Sequence, residues 1–159
     1  MRVLAFDPGY ERLGVAVLEK DKLLFSDCIN TSAQLSFPMR LQRLGKEAEK
    51  LIRKWRPDAV ALEDVYFEKN AKTAMQVAGV AGMLAYIAAV HELDIFQYTP
   101  LQVKVAITGY GKSDKTAVSQ MIPRLVRLPN RKRLDDEMDA IAIGLTCLAS
   151  VRNLSTEGR

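Results

Sequence analysis

Two short apolar runs each end on an acid. Val3-Leu4-Ala5-Phe6 stops at Asp7-Pro8-Gly9, and Ala59-Val60-Ala61-Leu62 stops at Glu63-Asp64. Four apolar residues bounded by turn formers are too short for a helix and read as buried strands. A carboxylate closing such a strand is partly stripped of water, which is costly unless it is paired or bound to a cation. If the two strands are parallel neighbours, both acids meet at one edge of the sheet. Open α/β sheets place their sites at the carboxyl ends of strands.

The rest of the pattern builds a sheet around that pair. Leu13–Leu18 and Leu23–Ile29 are further apolar runs with a turn at Asp21-Lys22, so the first three strands form an antiparallel meander. Leu41, Leu44, Ala48, Leu51, Ile52 and Trp55 recur at helical spacing, and Pro57 stops that helix. Strand, crossover helix and strand in one sheet make the 59–62 strand parallel to an earlier one. Asn70 is placed to cap a long helix running to about His91. From Val77 that helix is apolar on nearly every face, so it is expected to be buried, in part against a second subunit. Ile95–Tyr98 is another strand, and Pro100–Ile107 fits either a helix or a strand. Ser113–Val126 reads as a helix that Pro123 should kink or break. Leu134–Val151 is the last helix, followed by a frayed tail over 152–159. The sum is a single α/β domain over 1–151, a mixed sheet of about five strands flanked by helices.

Apolar residues make up 48% of the 159 and charged residues 26%, which supports a packed domain and excludes a disordered chain. Cys28 and Cys147 form no disulfide framework and are expected as reduced core thiols. The opening RVLAFD reads as a strand rather than a leader, so a cytoplasmic protein is expected. Val77–Val90, the most apolar stretch, is short for a bilayer span, and no membrane partner is expected. The net charge of +4 is unevenly placed. Residues 1–99 carry 13 acids and 13 bases, 100–133 carry eight bases against Asp114 alone, and 134–159 carry five acids and two bases. Two readings are open: a solvated basic loop, or a polyanion surface beside a cation-collecting site.

Those late acids open the last helix as Asp135-Asp136-Glu137-Met138-Asp139. Asp136 and Asp139 share a face at i, i+3, and Asp135 and Asp139 share one at i, i+4, so spacing does not choose between them. Acids in a first turn complement the helix dipole. That explains one or two of them, but poorly explains Asp139, which lies deeper and leads into Ala140-Ile141-Ala142-Ile143. Carboxylates converging without a basic partner repel one another, and a hard divalent cation such as Mg²⁺ resolves this because it prefers oxygen ligands. Two such ions ~3.5–4 Å apart clamp the attacking water and the leaving oxygen of an in-line phosphoryl displacement. The one histidine, His91, lies near a helix end and is expected at the surface rather than in catalysis.

Five stretches resemble the RuvC family of Holliday-junction resolvases, within the ribonuclease H-like superfamily. They are Phe6-Asp7-Pro8-Gly9 with Leu13-Gly14-Val15-Ala16-Val17; Leu62-Glu63-Asp64-Val65-Tyr66-Phe67 with Asn70; Thr99-Pro100 with Val103-Lys104; Ile107-Thr108-Gly109-Tyr110-Gly111 with Lys115; and Asp136-Glu137-Met138-Asp139-Ala140-Ile141-Ala142-Ile143. They stand in family order and cover about residues 1–150. The resemblance implies a ribonuclease H-like fold and a homodimer that binds a four-way DNA junction. It implies nicking of two symmetric strands in recombination and repair, beside a branch-migration complex. Asp7, Glu63, Asp136 and Asp139 match the family's metal-binding acids, which selects Asp136 over Asp135. Two Mg²⁺ per site are implied, with Mn²⁺ substituting. Lys104 and Lys115 match lysines at the DNA surface. Tyr66 matches an aromatic that stacks on a base, a contact worth ~1–3 kcal/mol. Lys112, Arg131 and Lys132 are further candidates for phosphate contacts, from the basic segment. The chain departs from the family at Asp64 and Ala81, where an uncharged residue and an arginine are common, and at the extra acid Asp135.

Other functions remain to be weighed. Ala106-Ile107-Thr108-Gly109-Tyr110-Gly111-Lys112-Ser113 fits a loose phosphate-loop pattern, which in an NTPase follows a strand and opens a helix. Against it, no later apolar strand ends in the aspartate that would hold Mg²⁺. A related ribonuclease H-like nuclease acting on RNA or other branched DNA is a second alternative, and a junction binder without catalysis a third.

Overall fold

The computed structural model describes residues 1–64 and 71–157. Arg2–Asp7 (β1), Arg12–Glu19 (β2) and Lys22–Asn30 (β3) form the antiparallel meander. The hairpin turn falls on Lys20-Asp21, one residue earlier than expected, with Lys20 in the left-handed region at φ 58°. Phe37–Trp55 (α1) crosses to Ala59–Glu63 (β4), which runs parallel to β1. Ala71–Val90 (α2) precedes Asp94–Tyr98 (β5), which runs parallel to β4. The sheet order is β3-β2-β1-β4-β5. Pro100–Thr108 (α3), Lys115–Leu125 (α4) and Asp135–Glu157 (α5) complete the chain.

The alternation of side chains along a strand makes two cores. Val3 and Ala5 of β1, with Ala16, Leu18 and Ala61, face α3, α4 and α5. Leu4 and Phe6, with Val15, Val17, Val60 and Leu62, face α1 and α2. Central strands covered on both faces need unbroken apolar runs, which is why β1 and β4 show no polar alternation.

Several elements differ from the expectations. Pro100–Thr108 is a helix because Thr99 and Gln102 form a reciprocal capping box ahead of it, with Pro100 in the first turn and Gly109 as a left-handed C-cap. Pro123 does not break α4, which continues to Leu125. A proline this near the end forfeits one backbone bond in a turn already about to stop. The expected tail does not begin at 152, because α5 continues to Glu157 and no glycine or proline interrupts 145–157. Lys72–Val90 is long and apolar enough to cross a bilayer by length and composition, more than the sequence suggested. It is nonetheless a core helix, with Val80, Leu84, Ile87 and Ala88 buried. Nor is it buried all round, since Met75, Tyr86 and Val90 are exposed. Cys147 lies in the core, whereas Cys28 on β3 is only partly buried, so one of the two expected core thiols is not one. The expected cap Asn70 lies outside the described residues.

Candidate active site

The sheet register places the strand acids. Phe6 pairs with Leu62 in the parallel β1–β4 ladder, so Asp7 and Glu63 leave the same edge side by side. The loop after Asp7 is pinned from α1. Arg40, 7% exposed, lies over the Tyr10 ring at 5.4 Å and donates to the Leu35 carbonyl at 3.2 Å. The Thr31 hydroxyl donates to the Tyr10 carbonyl at 2.7 Å.

The helix acids arrive by close packing. Gly14 of β2 pairs with Asp7, and a Cβ at Gly14 would overlap the Asp136 carbonyl. Only glycine lets the first turn of α5 lie directly on β2 beside Asp7. Asp136 Oδ2 then sits 3.3 Å from Arg12 Nε, and Asp139 Oδ2 sits 2.7 Å from Lys115 Nζ. Asp136, with Asp139 and Glu63, acts on the Asp7 carboxyl, whereas Asp135 acts on Lys115 and Asp139. The fold thus favours Asp136 over Asp135 as Asp7's neighbour.

The electrostatics are those of an underneutralised acid cluster. Burial, then Asp139, Glu63 and Asp136, push the Asp7 carboxyl up to about 8 against a smaller pull from Lys115. Burial and Asp139 push Glu63 up to about 7, with Asp64 adding to the effect and Lys115 and Lys104 opposing it. Burial raises Asp139 despite its bond to Lys115. Burial pulls Lys115 down, but the bond to Asp139 and the charges of Asp139, Asp135 and Asp7 outweigh it and leave the ammonium raised.

Among the described residues no three of these carboxylates converge as a ready-made ligand set. The sequence led us to expect one closed pocket. Instead Arg12 and Lys115 each hold one helix acid in an ion pair, because like charges need a counter-ion. The residues nevertheless fit a hard divalent cation. All four donors are carboxylate oxygens, Asp136 Oδ2 is buried with the Arg12 ion pair but no hydrogen bond, and Asp7 is driven towards its neutral form by burial and by its acidic neighbours.

Beside the acids is a cleft of about 260 Å³ lined by Glu63, Lys104, Lys115 and Asp139. Lys104 and Lys115 both line this cleft. Lys112 and Lys132 are exposed. Arg131 is bound into the fold. It pairs with buried Glu137 through Nη2, donates from Nη1 to Glu137 Oε2 at 3.1 Å and from Nη2 to the Ser26 carbonyl at 2.8 Å. Its guanidinium is engaged within the fold although the side chain is 45% exposed. Tyr66 lies outside the described residues. The phosphate-loop pattern is also overturned, since Ala106–Thr108 end a helix instead of following a strand, and Thr108 and Ser113 bond each other at 2.7 Å.

Residues 3–147 match the family model of crossover junction endodeoxyribonuclease RuvC. The chain belongs to the RuvC family. The RuvC of Ruminiclostridium cellulolyticum is 40% identical over 149 residues, covering 91% of this chain and 90% of that protein. The RuvC of Thermosipho melanesiensis is 40% identical over 153 residues, covering 94% and 97%. Among solved structures, T. thermophilus RuvC in complex with Holliday junction substrate superposes with a TM-score of 0.89 at 28% identity, covering 96% of both chains. The yeast mitochondrial Holliday junction resolvase shares the fold, at a TM-score of 0.71 and 14% identity. Within this RuvC chain, sequence reasoning missed Arg12 as the partner of Asp136, Gly14 as the seat of α5, and Glu137 as a buried acid. The one available signal was Glu137 standing between two candidate ligands with arginines at 131 and 133.

Proposed function

We propose that this chain resolves four-way DNA junctions by nicking two symmetric strands, working as a homodimer with Mg²⁺. The observation that carries it is the half-buried Asp7 carboxyl, beside Glu63 at one sheet edge and faced by Asp136 and Asp139 of α5, next to a lysine-lined cleft. A divalent ion bound there supplies a Lewis acid that activates water and stabilises the leaving oxygen of a phosphodiester. Asp7, Glu63, Asp136 and Asp139 would hold it, two ions per site, with Mn²⁺ substituting. Lys104 and Lys115 neutralise the phosphates entering the cleft, with Lys112 and Lys132 farther out, so affinity falls with salt. With metal held by the acids, Lys115 would be free to leave Asp139 and pair with a phosphate.

The dimer reading draws on α2. Met75, Tyr86 and Val90 are 69%, 70% and 61% exposed, and nothing lies within 4 Å of a Cβ added at Gly82. Spaced at 75, 82, 86 and 90, they form an apolar stripe suited to a second copy of the helix. A cytoplasmic site of action, on the nucleoid when engaged, goes with that substrate. Incubation with a synthetic four-way junction and a linear duplex, with and without Mg²⁺, tests the proposal. Paired nicks on the junction alone, only with Mg²⁺, are expected; equal cleavage of both DNAs would make it a general nuclease, and retention without nicking a binder.

A further inference from the structure

Glu137 is a buried carboxylate that the chemistry described above does not use. It is 2% exposed and lies between the two helix acids, one residue after Asp136 and two before Asp139. Its side chain does not join theirs. Both its oxygens are taken by Arg131, with Nη1 at 3.1 Å from Oε2 and Nη2 on Oε1. Arg133, whose side chain is 6% exposed, stands with Nε 3.3 Å from Oε1. Arg133 Nη1 also donates to the Pro129 carbonyl at 2.9 Å, which folds the 129–133 segment back under the helix. Arg131 reaches further, from Glu137 to the backbone carbonyl of Ser26 on β3 at 2.8 Å.

The first turn of α5 is therefore fastened to two neighbouring strands. On β2 it rests on Gly14, where the Asp136 backbone makes the contact. On β3 it is tied through Arg131 to Ser26, a residue 105 positions away in sequence. Two attachments on adjacent strands fix both the height and the rotation of a helix turn, whereas one leaves it free to roll. The roll of this turn determines whether Asp136 and Asp139 point towards Asp7. Arginine suits the task because its planar fork bonds both carboxylate oxygens and still has a hydrogen for the Ser26 carbonyl.

We infer that Arg131 and Glu137 form a positioning clamp that aims Asp136 and Asp139 at the metal site from behind, without touching metal or DNA. This rests on the metal-dependent reading of the same site. Groups behind metal ligands typically alter metal affinity by about 10–100-fold when removed. They leave the substrate surface intact.

The experiment compares the full-length wild type with Arg131→Ala, Arg131→Lys and Glu137→Gln. Three quantities are read: Mn²⁺ binding to the free protein by calorimetry, the Mn²⁺ concentration for half-maximal nicking, and the KM for a four-way junction. Arg131→Ala and Glu137→Gln are expected to weaken Mn²⁺ binding about 10-fold and raise the Mn²⁺ requirement in step, with the junction KM within about twofold of wild type. Arg131→Lys keeps the charge but cannot span Glu137 and Ser26 together, so it should fall in between. It also stands in for the others if burying an unpaired Glu137 or Arg133 prevents folding. Folded variants with wild-type Mn²⁺ binding would overturn the clamp. So would an Arg131→Ala that loses junction affinity at unchanged Mn²⁺ binding, because Arg131 would then be a phosphate contact. A wild type that binds no Mn²⁺ and nicks without it would overturn the metal reading, and the clamp with it.

Discussion

The two halves of the acid cluster are held in different ways. Asp7 and Glu63 end strands whose positions follow from a backbone ladder, buried on both faces. Asp136 and Asp139 sit on a helix turn located by side chains and one glycine, and each is already paired with a cation. The strand half is rigid and electrostatically strained, with Asp7 near 8 and Glu63 near 7. The helix half is ion-paired, although burial still raises Asp139. The site thus joins two strand acids with raised carboxyls to two helix acids that each hold a protein cation.

Replacing one acid from each half tests this most severely. Asp7→Asn should lower nicking on the order of 10³-fold, since a ligand supporting several kcal/mol of charge stabilisation is lost. Junction binding should survive. Its metal-free melting temperature at pH 8 should rise on the order of 5 °C as the repulsion disappears. Asp139→Asn should also abolish nicking but bring no such rise, because it discards the bond to Lys115. Equal thermal shifts in the two variants, measured by calorimetry, would erase the distinction between the halves.

Next in size is the seat of the helix. Gly14→Ala drives a Cβ into the Asp136 backbone, which a backbone cannot absorb locally. Overpacking of this kind costs about 1–3 kcal/mol. Nicking should fall about 10-fold or more through displaced ligands, while a mutation at the strand edge would leave the helix where it is. A chemical melt and a nicking assay on the same preparation check both effects.

The pH dependence of stability probes the strand half without mutation. Asp7 holds its proton more tightly in the folded chain, at about 8 against an ordinary 3.8, and Glu63 does so at about 7 against 4.5. The stability they contribute is complete below about pH 4 and is lost as pH rises through 7 to 8. Metal-free protein should therefore melt at progressively lower temperature from pH 5 to pH 8, and Mn²⁺ should flatten that slope. A melting temperature that climbs over this range would contradict the raised carboxyls.

The smallest expected effect belongs to the compensating cation. Lys115 is more than half exposed, so its ion pair with Asp139 adds little stability. Lys115→Ala should leave the melt nearly unchanged and weaken junction binding modestly, lowering the logarithmic salt slope by about one. An unchanged slope would confine Lys115 to the protein.

What was legible in the sequence was local. Four-residue apolar runs closed by Asp7 and Glu63 specify central strands ending in acids, because alternation and burial act over a few residues. The order of the five family stretches specified the family and its fold, and by resemblance a candidate acid set. The bounds of α3 were within reach too, through Thr99 and Gln102, had the capping box been read.

What only the tertiary structure decided depends on groups far apart in the chain. The seating of Asp136 on Gly14, the engagement of Arg131 by Glu137 and Ser26, and the pairing of Arg12 with Asp136 join residues 6 to 124 positions apart. The local pattern marks Arg131 as one more basic residue in a basic stretch. Packing α5 across β2 and β3 buries Glu137, and a buried carboxylate requires a partner. Burial is a property of the assembled layers, and no window of sequence contains it.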